Sequence, residues 1–228
     1  NGNWAEQAKV KPSHNEWNQT FGATVALSGD GSTLAVGTPL DYSQSSGVDS
    51  DPLNYKLIFK KLISQLSNGY TIAYPSPTSD SSTPTGAVYV FVKSGSWTQQ
   101  AYLKASNTTP GLQFGSALSL SLNGDVLVVG TMVESSRAVG INGDQLDTAA
   151  SISGAAYAFT RAGNTWTQKS YIKAPNTNAN DGFAHAVGLD WLGETLAVGA
   201  HRESSKAKGL NGDESDNTAS ASGAVYLY

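Results

Sequence analysis

The sequence predicts an all-β chain: a β-propeller of four-stranded antiparallel blades, with three repeats in the chain. Three observations carry this reading: a repeat of fixed period, hairpin signals inside each repeat, and a composition suited to short strands and tight turns. "SGSWTQQAYLKASNT" (94–108) returns as "AGNTWTQKSYIKAPNT" (162–177), with Trp97 and Trp166 69 positions apart. "FGSALSLSLNGDVLVVGT" (114–131) matches "FGATVALSGDGSTLAVGT" (21–38) and "FAHAVGLDWLGETLAVGA" (183–200), and Phe114 and Phe183 are again 69 apart. "TGAVYVF" (85–91), "SGAAYAF" (153–159) and "SGAVYLY" (222–228) form a third series, with Gly154 and Gly223 at the same spacing.

Each repeat reads as four strands. Strand a follows Phe-Gly, as in 23–27, and strand b is the apolar run at 33–36. Asp30-Gly31 joins them in the first repeat and Asn123-Gly124 in the second, both strong hairpin signals. Strand c is 87–91, and strand d is 97–104, reached through a short turn at 94–96. Strands b and c are apolar on both faces, as expected of strands buried between stacked sheets. Strand d alternates and suits an outer edge, with Gln99 and Lys104 expected in solvent. The repeats fall at about 13–104, 105–173 and 174–228.

Composition excludes several function classes. The net charge of −4 leaves no basic footprint for nucleic acid. The absence of cysteine removes disulfides and thiolate metal sites. No apolar run is long enough to span a membrane, and no signal peptide is present. The chain starts at Asn1, as a mature or excised piece would.

The residues 21–39, with Phe21-Gly22 and Gly37-Thr38-Pro39, followed by "GAVYVF" (86–91), resemble the FG-GAP repeat of integrin-type β-propellers, most closely its bacterial surface-protein form. The second copy keeps Phe114-Gly115 and Gly130-Thr131; the third has Phe183-Ala184 and Gly199-Ala200. The resemblance covers almost the whole chain except 52–77. It implies an extracellular or cell-surface, bacterial setting and a non-catalytic adhesion or recognition role, with a protein or glycan ligand held by loops on one propeller face. The family's DxDxDG calcium loop is missing, because the a–b turns here are "SGDGS", "SLNGD" and "DWLGE".

The strand order along the chain is d, then a-b-c-d, a-b-c-d, a-b-c. "WAEQAKVKP" (4–12) matches "WTQQAYLKA" (97–105) and supplies a spare d strand, whereas the last repeat lacks one. Propellers have about 4–8 blades, so three do not close a ring. Two chains that exchange N-terminal strands would make a six-bladed homodimer with two-fold symmetry. The alternatives are a piece of a larger propeller, or a filament where the exchange does not close. The first repeat also carries an insertion at 52–77. Its apolar residues, such as Tyr55, Ile58, Phe59, Leu62 and Leu66, recur with helical spacing and predict an amphipathic helix.

Two b–c loops are near copies: "ESSRAVGINGDQLDTAASISG" (134–154) and "ESSKAKGLNGDESDNTASASG" (203–223). Asn142, Asp144 and Asp147 match Asn211, Asp213 and Asp216. Such oxygen-rich loops suit calcium, which takes about 6–8 oxygen ligands. They also suit a set of Asx turns that organise the loop from within, the reading favoured by the lack of a full ligand set. Trp17 and Trp191 break the repeat near loops and are candidates for stacking on a sugar face, against local packing. His185 and His201 form no sequence-local ligand pair. No nucleophile elbow, phosphate loop or Ser-His-Asp order is present. Besides the recognition module, the sequence leaves a glycan-binding lectin and a structural subunit assembled by strand exchange; a hydrolase stands last.

Overall fold

A computed structural model of the chain describes residues 3–14, 18–49 and 83–228. The helix expected at 52–77 lies outside the described residues, as does Trp17. The described chain folds into three antiparallel sheets. Sheet 1 holds β1 (Thr24–Leu27), β2 (Thr33–Thr38), β3 (Ala87–Ser94) and β4 (Ser96–Leu103), paired in chain order. Sheet 2 repeats this with β5 (Ala117–Leu120), β6 (Val126–Thr131), β7 (Ala155–Ala162) and β8 (Thr165–Ile172). Sheet 3 has three strands, β9 (Phe183–Leu189), β10 (Leu196–Ala200) and β11 (Ala224–Leu227), with β11 at its outer edge.

The a–b hairpins form because a side chain organises each turn from inside. Asp30 Oδ1 accepts from the hydroxyls of Ser28 and Ser32 and from the Ser32 amide. These bonds hold its carboxyl below the usual range. Asn123 Oδ1 accepts from Ser121 Oγ and the Asp125 amide, and Asp190 Oδ1 from the amides of Glu194 and Thr195. The first two are Asx turns, whereas Asp190 spans its turn to residues four and five on, as the Ser28 and Ser121 hydroxyls do to Thr33 and Val126; both arrangements fix the register of the strands they join.

The sheets stack through one repeated aromatic contact. Phe114 lies 5.3 Å from Tyr157 and 6.1 Å from Phe159, ring centroid to centroid. Phe183 meets Tyr226 and Tyr228 in the same way, and Phe21 meets Tyr89 and Phe91. Phe114 also packs with Val88, Val90 and Leu103 of sheet 1, so it belongs to the core between sheets 1 and 2. Phe183 packs with Ala156 and Ile172 between sheets 2 and 3. Backbones approach closely at these seams. Gly86 forms a parallel bridge with Phe114, and Gly154 with Phe183. A Cβ on Gly154 would stand 1.9 Å from the Phe183 carbonyl oxygen, and φ there is +82°. Only glycine meets both demands.

Two expectations are corrected. In the single chain the N-terminal stretch 4–12 is not a strand; it is largely exposed, and it touches sheet 1 through Val10 and a Gln7–Lys93 bond. A strand needs a neighbour to bond its backbone, and β1 to β4 offer this stretch no ladder. Lys104, expected in solvent, is fully buried. Lys104 follows the last residue of β4 and is held by the b–c loop, its amide on the Gly47 carbonyl and its Nζ on Asp41, Thr85 and Gly86.

Candidate functional site

Antiparallel pairing puts the a–b and c–d turns at one end of the sheets and the long b–c loops with the d–a linkers at the other. The loop end is built on buried charges. In sheet 1, Asp41 accepts from Lys104 Nζ at 3.3 Å, Tyr102 Oη at 2.8 Å, Gln19 Nε2 at 3.1 Å and the Ser43 amide at 3.0 Å. Lys104 Nζ also donates to Thr85 Oγ1 at 2.6 Å and to the Gly86 carbonyl. In sheet 2, Glu134 accepts from Lys173 Nζ at 2.7 Å, Asn107 Nδ2 at 3.1 Å and the Ser136 amide at 3.0 Å. Lys173 Nζ donates to Ser153 Oγ at 2.6 Å. Burial pushes the Lys104 ammonium down to about 8, and Lys173 moves the same way, while each acid partner pulls it back up. These groups tie the start and end of a b–c loop to the d strand.

Sheet 3 keeps the acid without the cation. Glu203 is buried and accepts from Asn176 Nδ2 at 3.1 Å and from the Ser205 amide and hydroxyl. Among the described residues no lysine or arginine forms an ion pair with it. A second acid, Asp181, is buried beside it, and burial pushes its carboxyl up to about 6, with the Glu203 charge adding to the shift.

A second repeated device clamps loop to d strand. Val48 bridges Leu103 and Ile141 bridges Ile172, antiparallel. The Asp49 amide donates to Tyr102 O, and the Asn142 amide to Tyr171 O, both at 2.7 Å. In return Asp49 Oδ1 and Asn142 Oδ1 accept the Tyr102 and Tyr171 amides. Asn142 is therefore a clamp, and Asn211 stands in the same left-handed backbone position, at φ +54°.

The four aspartates among the six residues read as calcium ligands each bond an amide two residues on. Asp144 accepts the Leu146 amide, Asp147 the Ala149 amide, Asp213 the Ser215 amide and hydroxyl, and Asp216 the Thr218 amide. These bonds hold the Asp213 and Asp216 carboxyls below their usual range. Among the described residues no three His, Asp or Glu side chains gather around a common point. Asx turns at a spacing of two residues use one oxygen of each aspartate locally. Trp191 sits on the a–b turn of sheet 3, 70% exposed, at the opposite end from these loops. Its carbonyl accepts the Leu122 amide, as the Leu122 carbonyl accepts the Asp30 amide, so these turns also chain from sheet to sheet. His185 and His201 do meet, with ring centroids 4.2 Å apart. Burial, and then the neighbouring His185, hold His201 below the usual histidine value.

Sequence reasoning missed the buried lysines. The signal was present in "YLKA" (102–105) and "YIKA" (171–174), a lysine at one fixed place in two repeats, with Asp41 and Glu134 also in register. No helix among the described residues is long and apolar enough to cross a membrane. No curated protein matches the chain. A family model described as the FG-GAP repeat matches residues 4–50, 97–159 and 166–228.

Proposed function

The chain belongs to the FG-GAP repeat family, and from that premise we propose that it is a non-catalytic recognition module, placed outside the cell or on a bacterial surface, that binds a protein ligand through its b–c loop end. FG-GAP repeats are typical of extracellular adhesion and ligand-binding modules. One observation supports the loop end as the contact surface. Loop 134–154 is fastened from beneath by the Glu134–Lys173 pair and the Asn142 clamp, yet Val139, Ile141 and Leu146 stand exposed on it, Leu146 at 86%. Apolar side chains on a fastened loop suit a protein partner, because little ordering entropy is lost on binding.

The test is binding of the labelled chain to an extracellular-protein array and a glycan array. Leu146→Asp, an exposed substitution, is expected to abolish protein binding, and Trp191→Ala to leave it unchanged. Glycan binding lost with Trp191→Ala would favour the lectin instead.

A second reading has its own observation: self-assembly through exchanged N-terminal segments, two chains making a six-bladed propeller ring. The faces that bury Val88, Val90 and Ala156 between neighbouring sheets have a counterpart on β11, where Val225 and Leu227 are 69% and 70% exposed.

A further inference from the structure

We infer that the open edge of sheet 3 is a built receptor for residues 4–12 of a second copy of this chain, with Lys11 entering beside Glu203 and Val10 bridging Leu210. This rests on the assembly reading above and specifies its contact.

The registers follow from the repeat itself. Lys11 stands in the chain where Lys104 and Lys173 stand, one and two repeats on, and Val10 where Leu103 and Ile172 stand. Every loop-side group that receives those residues in sheets 1 and 2 has its counterpart in sheet 3. Glu203 matches Asp41 and Glu134, and Ser222 matches Thr85 and Ser153. Leu210 matches Val48 and Ile141, the two bridge residues, and is 92% exposed where its counterparts meet a d strand. Gly47 and Gly140 carbonyls accept the amides of Lys104 and Lys173; the Gly209 carbonyl is placed to accept that of Lys11.

Charge agrees with register. Sheets 1 and 2 each pair one acid with one lysine, and a tyrosine lies two residues before that lysine. Sheet 3 presents two buried acids, Asp181 and Glu203, of which Asp181 already has Lys173 acting on it. The N-terminal segment answers with two lysines, since Lys9 occupies the tyrosine place.

The seam is also prepared. Added Cβ atoms on Gly86 and Gly154 would strike the backbone of the next sheet within 2.2 Å, whereas Gly223 has nothing nearer than 3.5 Å. Gly223 keeps the left-handed φ of +80° and awaits a Phe-Gly backbone; Phe21-Gly22 of the second copy follows its Lys11 at the interval by which Phe114-Gly115 follows Lys104.

In the single chain the segment is docked on its own sheet 1. Lys93 Nζ donates to Gln7 Oε1, the Ser13 amide to Gln99 Oε1, and Val10 packs near Val36 and Tyr102. Strand β4 lies on sheet 2 through equivalent bonds, the Ser106 amide to Gln168 Oε1 and Arg161 Nη1 to Gln100 Oε1. The segment thus already lies where the last strand of a preceding sheet belongs.

The chain has no cysteine, so Val10→Cys with Leu210→Cys gives one defined pair. Under mild oxidation the double variant is expected to form disulfide-linked dimers, and neither single variant should. Lys11→Glu, at an exposed residue of the free chain, is expected to weaken the dimer on the order of 100-fold, as does removing one partner of a buried pair. Adding Glu203→Lys should recover most of that loss. A dimer by light scattering that neither cross-links at these positions nor responds to Lys11→Glu would overturn this contact and leave assembly standing. A monomer at all concentrations would overturn both.

Discussion

Lys104 and Asp181 make opposite cases for a buried charge. Lys104 is fully buried but has an acid, a hydroxyl and a carbonyl as partners. Lys104→Met leaves Asp41 without its cation and is expected to lower the unfolding free energy by about 3–5 kcal/mol, with part regained in Lys104→Met/Asp41→Asn. Denaturant titration of the three proteins checks this. Asp181 forms no ion pair among the described residues; Lys173 pulls its carboxyl down, but burial outweighs that and holds it near 6 instead of its ordinary 3.8. The folded chain therefore holds a proton between about pH 4 and 6 that the unfolded chain has lost. Stability falls as pH rises through that window and stays lower above it. In the Lys11→Glu background, where the cation is withheld, Asp181→Asn is expected to gain about 1–2 kcal/mol at pH 7 and nothing near pH 3.5. Melting curves at the two pH values read the difference. Neither role is visible from one repeat. A lysine at the end of an alternating strand looks solvated until the loop that covers it is placed, and its acid partner Asp41 on that loop lies 63 residues away in the first repeat.

At the scale of elements, the strands were legible and the loops were half legible. Turn chemistry at Asp30-Gly31 and Asn123-Gly124, and apolar runs such as 126–131, located the hairpins within a residue or two. The aspartates of the b–c loops were read as calcium ligands or Asx turns because both use the same oxygens. Only placement distinguishes a ring of oxygens around one point from a series of turns two residues long. Asp144→Ala and Asp147→Ala are each expected to cost about 1 kcal/mol through the lost amide bond, and a chelator should leave the melting temperature unchanged. A fall in melting temperature with chelator, restored by calcium, would contradict the turn reading. The N-terminal stretch failed as a strand for a related reason: its sequence carries the pattern of a d strand, but pairing needs a sheet edge. Glycines make the sharpest comparison between elements. Gly154→Ala meets the Phe183 backbone and is expected to cost about 3 kcal/mol or more, from overpacking and a left-handed backbone together. Gly223→Ala should cost about 1–2 kcal/mol in the isolated chain, from the backbone alone, while blocking assembly.

At the scale of the whole molecule, the 69-residue period was enough to predict an all-β repeat chain, and three similar sheets are what the chain forms. The period did not tell what covers the outer faces. Their state follows from burial: Val25 and Leu27 on β1, and Val225 and Leu227 on β11, face solvent. Covering a Val or Leu side chain is worth about 1.5–3 kcal/mol, so two such faces, matched by the repeat, give a drive for association. The exposed Leu210 and Glu203, an acid with no ion pair among the described residues, mark the same edge. Removing residues 1–12 is therefore expected to abolish association and leave the three-sheet fold intact, which circular dichroism and sizing together check.

The most direct measurement is the absolute mass of the chain in solution, by light scattering behind a sizing column over a range of concentrations. The chain mass is 23.7 kDa. A single species of twice that mass, reduced to one chain by Lys11→Glu, is the predicted result. A single-chain mass at every concentration, unchanged by Lys11→Glu, would contradict the exchange of N-terminal segments.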